Sequence, residues 1–117
     1  MSPQRRRPEP ATAASRSRRA ETSRMVLGIR AWELHLEGCA SLKDKRSRIR
    51  PLTAALRRQF NVSVAETGHQ DTWQRSEIAC AAVGSARHVV EETLRGADRV
   101  VEKADGVRIV DTLTEWR

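Results

Sequence analysis

The 117-residue sequence has very little aromatic character, with no tyrosine, one phenylalanine and three tryptophans. Proteins that bind single-stranded RNA on an open sheet usually stack the bases on aromatic side chains. The aromatic Lys/Arg-Gly-Phe run that is typical of RNA-recognition motifs is also missing. This scarcity argues against the usual sheet-face mode of RNA binding.

Long apolar runs and cysteine motifs are equally scarce. The longest apolar run, residues 78–83, has the length of a strand and falls far short of the roughly 20 residues of a membrane helix. Cys39 and Cys80 show no CxxC or Cys/His spacing, which argues against a zinc site and against a disulfide framework. We therefore expect no cofactor and two reduced thiols in a soluble, cytoplasmic protein.

The net charge of +7 is concentrated at one end of the chain. Residues 1–24 hold seven Arg and two Glu, whereas residues 25–117 hold 15 basic and 13 acidic side chains. Residues 1–24 lack a periodic apolar face and are predicted to be a disordered tail. Their composition overlaps that of organellar transit peptides, which we rank below a plain tail, and no apolar segment of a secretory signal follows. Because Met25 opens the first apolar segment, translation starting at Met25 is an alternative.

Residues 25–117 have the length of one domain, and their apolar periodicity switches between two and 3.6. Alternation at Trp32, Leu34 and Leu36 predicts a half-buried strand. Ser41 followed by Asp44 predicts a helix N-terminus, and the apolar spacing extends that helix over residues 42–60. Pro51 falls opposite the apolar stripe, where we expect a kink.

The remaining periodicity predicts two strands, a helix and a last strand. Residues 61–67 and 76–83 read as a hairpin, and a second helix begins at Ser85 and stops near Gly106. Val107, Ile109 and Leu113 predict the fourth strand. The order β-α-β-β-α-β is typical of a ferredoxin-like α+β fold, with a four-stranded antiparallel sheet and two helices on one face.

Four segments carry a resemblance to a known family: residues 33–36 (ELHL), 41–46 (SLKDKR), 60–66 (FNVSVAE) and 68–75 (GHQDTWQR). Over residues 25 to about 112 the chain resembles the YlxP-like small bacterial proteins, a domain of unknown function. The resemblance implies a ferredoxin-like fold and no agreed catalytic residues. Genes of this family usually lie beside those of ribosome-binding factor A and translation initiation factors, which implies a role near the ribosome. The 24-residue extension and Trp32, in place of a smaller aliphatic residue, depart from the family pattern.

The first predicted helix is basic, whereas the second balances its charges. Residues 38–58 carry seven basic side chains against Asp44 alone. Lys43, Arg50 and Arg57 recur every seven residues and share one flank with Arg46, and guanidinium groups suit phosphate. The alternative is a solvated helix face that keeps the protein in solution. The candidates for RNA or ribosome binding are Lys43, Lys45, Arg46, Arg50 and Arg57.

The loop within residues 68–75 is longer than a hairpin connection requires. In one interpretation it recognises RNA or protein, with the indole of Trp73 stacked on a base. In the structural alternative Asp71 caps the turn, Trp73 covers the core edge and Arg75 pairs with Glu66 or Asp71. A catalytic use of His69, Asp71 and Arg75 is the least favoured interpretation. The candidates for recognition are His69, Gln70, Asp71, Trp73, Gln74 and Arg75.

The predicted function is that of a non-enzymatic accessory protein that associates with the ribosome or with RNA. We expect no DNA or membrane partner. One alternative is a homodimeric interaction module that uses outward side chains of the sheet such as Ala79, Ala81 and Val110. The other is a small enzyme built on the loop.

Overall fold

The computed structural model describes residues 24–117. The strand order across its single sheet is β2-β3-β1-β4, and all three neighbouring pairs are antiparallel. This arrangement confirms the predicted ferredoxin-like α+β fold. The predicted disorder of residues 1–24 lies outside the described residues, apart from Arg24. In chain order the elements are β1 (Val26–His35), α1 (Leu42–Gln59), β2 (Ser63–Gly68), β3 (Arg75–Gly84), α2 (Arg87–Glu102) and β4 (Arg108–Trp116).

The core lies between the sheet and the two helices, and strand alternation decides which side chains enter it. Trp32 and Leu34 of β1, together with Leu36 just after it, are fully buried, whereas Glu33 and His35 between them lie on the opposite face. β2, β3 and both helices complete the core with Val64, Ile78, Cys80, Ala82, Ile49, Leu52, Leu56, Val90, Leu94, Ala97 and Val101.

Helix α1 begins and runs as its sequence predicts. The Ser41 side chain accepts a hydrogen bond from the backbone N–H of Asp44 (3.1 Å), and the Asp44 carboxylate accepts one from the Ala40 N–H (3.1 Å). This reciprocal pairing satisfies two backbone donors at the helix end. Pro51 is exposed within a helix that continues to Gln59, as expected from its position opposite the apolar stripe.

Helix α2 is shorter than the periodicity predicted. It spans Arg87–Glu102 instead of extending from Ser85 to the vicinity of Gly106, and Ala86 provides no side-chain cap. Residues 103–107 turn back toward the sheet, with Gly106 at a φ of +69° that favours glycine. Glu91 lies within 3.8 Å of Arg87 and 3.5 Å of Arg95, which agrees with a self-paired outer face. Neither helix of residues 24–117 has the length and apolarity needed to cross a membrane.

A charged hydrogen-bond network crosses from α2 to the sheet. The Asp98 carboxylate accepts from Nε1 of Trp32 (2.8 Å) and from two guanidinium nitrogens of Arg30 (3.1 and 2.9 Å). Arg30 donates in addition to the hydroxyl of Thr114 on β4 (2.7 Å). The buried indole N–H of Trp32 therefore has a hydrogen-bond acceptor. This allows an indole in a position where a smaller aliphatic residue was expected.

Both cysteines are free and buried, with 1% of their surface exposed. Burial raises the pKa of the Cys80 thiol to about 11, although the nearby Arg30 charge acts in the opposite direction. The folded protein therefore keeps this thiol protonated under physiological conditions, and a thiolate nucleophile at Cys80 is not available.

We predict that Cys39 and Cys80 resist thiol-modifying reagents at pH 8 until the protein is unfolded in urea. Burial blocks access to both sulfur atoms, and the raised pKa withholds the reactive thiolate of Cys80. The unfolded thiol loses its proton near its ordinary pKa of 9.0, whereas the folded thiol keeps it up to about 11. The free energy of unfolding should therefore fall as pH rises between these values. Fast labelling of the folded protein would contradict the prediction.

Candidate functional site

The loop between β2 and β3, residues 69–74, is anchored by a buried lysine of α1. Lys45 precedes Ile49 by four residues, so it falls on the apolar stripe of the helix, and 3% of its surface is exposed. Its ammonium group donates to the carbonyl oxygens of His69 (2.5 Å) and Thr72 (3.0 Å). The β2–β3 loop is therefore tied to the helix through its own backbone.

The same ammonium group pairs with a carboxylate beneath the loop. Oε2 of Glu66, on the helix-facing side of β2, lies 3.1 Å from Nζ of Lys45. That oxygen also accepts a hydrogen bond from the hydroxyl of Ser76, which is fully buried on β3. The buried charge is thus compensated by one carboxylate and two carbonyl groups, as burial of an ammonium group requires.

Two loop-end side chains converge on Glu33 at the opposite face of the sheet. Nε2 of His69 lies 2.5 Å from Oε1 of Glu33, and Arg75 donates to the same oxygen at 2.6 Å. His69 has a φ of +59°, a left-handed conformation that is uncommon outside glycine. The predicted pairing of Arg75 with Glu66 or Asp71 is wrong, because Glu66 is paired with Lys45 and Glu33 is the partner of Arg75.

The other loop residues are divided between structural and exposed positions. The backbone carbonyl oxygen of Gln74 accepts a hydrogen bond from the backbone N–H of Leu36 (2.8 Å). The side-chain amide of Gln74 donates to the carbonyl oxygen of Cys39 (3.4 Å). Gln70 donates to the carbonyl oxygen of Glu66 (3.3 Å). The Trp73 side chain leaves half of its surface exposed, so it is available to a partner and does not close the core edge as a lid would.

A cleft of about 310 Å³ separates α1 from the β2–β3 loop. Arg46 and Arg50 of the basic flank stand on its helix side, and Gln70 and Asp71 stand on its loop side. The structure therefore brings together two parts that were singled out separately in the sequence. The complete lining consists of Leu42, Lys45, Arg46, Ile49, Arg50, Glu66, Gln70 and Asp71.

The predicted basic residues of α1 do not form one uniform surface. Lys43, Arg46 and Arg50 are exposed, and no acidic side chain of residues 24–117 forms an ion pair with them. Arg57 is also exposed, but its guanidinium group donates to the carbonyl oxygen of Val64 on β2 (2.8 Å). Lys45 is buried and committed to the loop. Its position on the apolar stripe was readable from the helical spacing, but its charge favoured the surface.

The arrangement that acid–base catalysis would require is not assembled. His69 and Arg75 meet at Glu33, whereas Asp71 lines the cleft beside α1 and makes no hydrogen bond with either. His35 lies on the open sheet face and His88 is exposed at the start of α2. Within residues 24–117 no three acidic, histidine or cysteine side chains are grouped so that they could hold a metal ion.

Comparison with known proteins adds the family. The family model described as "Protein of unknown function (DUF503)" matches residues 27–114. The chain belongs to the DUF503 family. A curated relative, the "Uncharacterized protein YlxP" of Bacillus subtilis (strain 168), is 33% identical over 91 residues, which make up 78% of this chain and 99% of the relative. The predicted resemblance to YlxP-like proteins is thereby confirmed, and the match includes β1 from Leu27, both helices and the β2–β3 loop of this DUF503 member.

Proposed function

We propose that this DUF503 protein is a non-enzymatic accessory protein of the cytoplasm that binds RNA, either free or within the ribosome. The supporting observation is the shared cleft, where Arg46 and Arg50 face the β2–β3 loop. Unpaired guanidinium groups on a rigid helix bind phosphate by bidentate hydrogen bonds without first breaking an ion pair. The basic flank that carries this role is Lys43, Arg46 and Arg50, with Arg57 at its far end.

The β2–β3 loop adds groups that the basic flank of α1 lacks. Trp73, two residues after Asp71 in the loop, exposes half of its surface, and an indole offers a stacking surface for an unpaired base. Asp71 and Gln70 provide acceptors for a 2′-hydroxyl or a base amino group, which distinguish RNA from a simple polyanion. The anchor through Lys45 holds these groups in place before binding, so less ordering entropy is lost.

The catalytic alternative has less support than the binding role. Glu33 already engages both His69 and Arg75, so neither side chain is positioned beside a nucleophile. The genes that neighbour the family favour translation as the setting, and they add weight to ribosomal RNA as the partner.

We predict that the double reversal Arg46→Glu/Arg50→Glu abolishes retention on ribosomal particles at low salt. Both side chains are exposed and make no hydrogen bond or ion pair within residues 24–117, so the melting temperature should stay within a few degrees of the unmodified value. Removing two phosphate contacts should also reduce the slope of log affinity against log salt by about 1.4 to 1.8. Sucrose-gradient sedimentation of a lysate, at low and high salt, measures the retention.

The matched control for this reversal is Arg99→Glu/Lys103→Glu, which changes the net charge equally at two exposed positions, one in the last turn of α2 and one at its C-cap. It should leave sedimentation with ribosomal particles intact. Equal losses in both variants would show that net charge alone is responsible, and continued co-sedimentation of the α1 variant would overturn the proposed function. Arg57 is left unchanged because its hydrogen bond to β2 would confuse binding with folding.

A further inference from the structure

The sheet face that points away from the helices has an apolar centre. Leu113 and Val83 expose 58% and 66% of their surfaces there. The assignment to this face follows from Trp32 and Leu34, which point into the core, so that the odd-numbered residues of β1 and their register partners point outward. The open sheet face carries the apolar side chains Leu27, Ile29, Ala31, Ala65, Ala79, Ala81, Val83 and Leu113.

The strand register makes this surface continuous and gives it a charged boundary. Ala31 pairs with Ala79 on one side and with Leu113 on the other, and the adjacent row contains Ile29 and Ala81, with Glu115 at its β4 side. The row on the other side of Ala31 carries three carboxylates, because Glu33 pairs with Glu77 and Asp111. The open sheet face therefore has an apolar centre and an acidic end.

The size of the open sheet face matches a protein interface. Four strands spaced about 4.8 Å apart and a central strand of roughly 33 Å give a footprint of about 600 Å². That approaches the roughly 800 Å² that each partner contributes to an interface of standard size. The apolar centre occupies part of this footprint, and a contiguous exposed apolar patch of a few hundred Å² often marks an interaction site.

The edges of the sheet are less suited to a partner than its face. The register of β4 shifts between its pairings with Glu33 and Leu34, and that of β2 shifts between Glu66 and Gly68. Such bulges interrupt the regular row of backbone groups that an added strand would need. Small side chains at the centre of the face, by contrast, allow a second sheet to approach closely.

We propose that the chain forms a homodimer in which the open sheet faces of two copies pack with their strands in opposite directions. A twofold axis along the strands would place the acidic row of one copy against that of the other. An axis across the strands instead brings Asp111 of one copy toward Arg117 of the other, which directly follows β4 and pairs with Glu115 of its own chain (3.1 Å). Glu33 is already paired with Arg75 and hydrogen-bonded to His69, which lowers the cost of covering the acidic end.

Sedimentation velocity of the full chain without RNA, over a wide range of protein concentrations, tests the homodimer. We expect a species of twice the 13.2 kDa chain mass. Leu113→Glu and Ala79→Glu should each raise the dissociation constant roughly 30-fold or more, as a buried like-charge pair would. Ala54→Glu introduces the same charge on an exposed position of α1 and should leave the dissociation constant unchanged.

Two results would overturn the homodimer. One is a monomer at every concentration, and the other is a dimer that tolerates both glutamates on the open sheet face. Leu113 is more than half exposed, so its variant should fold, and its circular dichroism spectrum verifies that. Because no RNA is present, this outcome does not depend on whether the proposed RNA-binding function holds.

Discussion

Replacing Asp98 with alanine is expected to lower the free energy of unfolding by about 3 kcal/mol. The change removes the acceptor of the Trp32 indole N–H and the partner of the Arg30 guanidinium group. The Arg30 side chain is 16% exposed and would keep its charge without a carboxylate nearby. Urea unfolding followed by tryptophan fluorescence and by circular dichroism measures the loss.

The control for Asp98→Ala is Glu92→Ala, which removes an exposed carboxylate from the same helix and should cost less than about 0.5 kcal/mol. Asp98→Asn should fall between the two, because an amide oxygen can still accept from the indole but carries no charge for Arg30. If Asp98→Ala were as mild as the control, water would be replacing the carboxylate and the network would contribute little to stability.

The sequence predicted an element closely where the apolar spacing and the capping residues lay within that element. The apolar spacing of α1 and the pairing of Ser41 with Asp44 predicted its start and its end to within one residue. The end of α2 was less well defined, because Gly106 resembled a helix stop although the last helical turn ends at Glu102. Local patterns give the existence of an element more securely than its end.

The site was only partly readable, because its contacts join residues that are distant in sequence. Lys45 meets His69 across 24 positions, and His69 meets Glu33 across 36. No local pattern indicates such partners before the strand order is known. The shared cleft likewise depends on packing α1 beside the β2–β3 loop, although each part had been singled out by its composition.

Lys45→Met is expected to destabilise the domain by about 3 kcal/mol and to loosen the β2–β3 loop. Methionine matches the length of the buried stem, so the loss comes from the ammonium group. Glu66 would keep a partly buried carboxylate with Ser76 as its remaining donor, and the carbonyl groups of His69 and Thr72 would lose theirs. Urea unfolding measures the stability, and faster backbone hydrogen exchange of residues 69–74 would show that the loop has loosened.

Lys43→Met provides the matched control, because Lys43 lies two positions away on the same helix and is exposed. Under the proposed function Lys43→Met should weaken RNA retention without changing the urea midpoint. Lys45→Met, by contrast, should lower the urea midpoint. Adding Glu66→Gln to Lys45→Met should recover part of the lost stability, since it removes the unpaired charge. If the double variant is no more stable than Lys45→Met, the two carbonyl contacts, and not the ion pair, account for the anchoring of the loop.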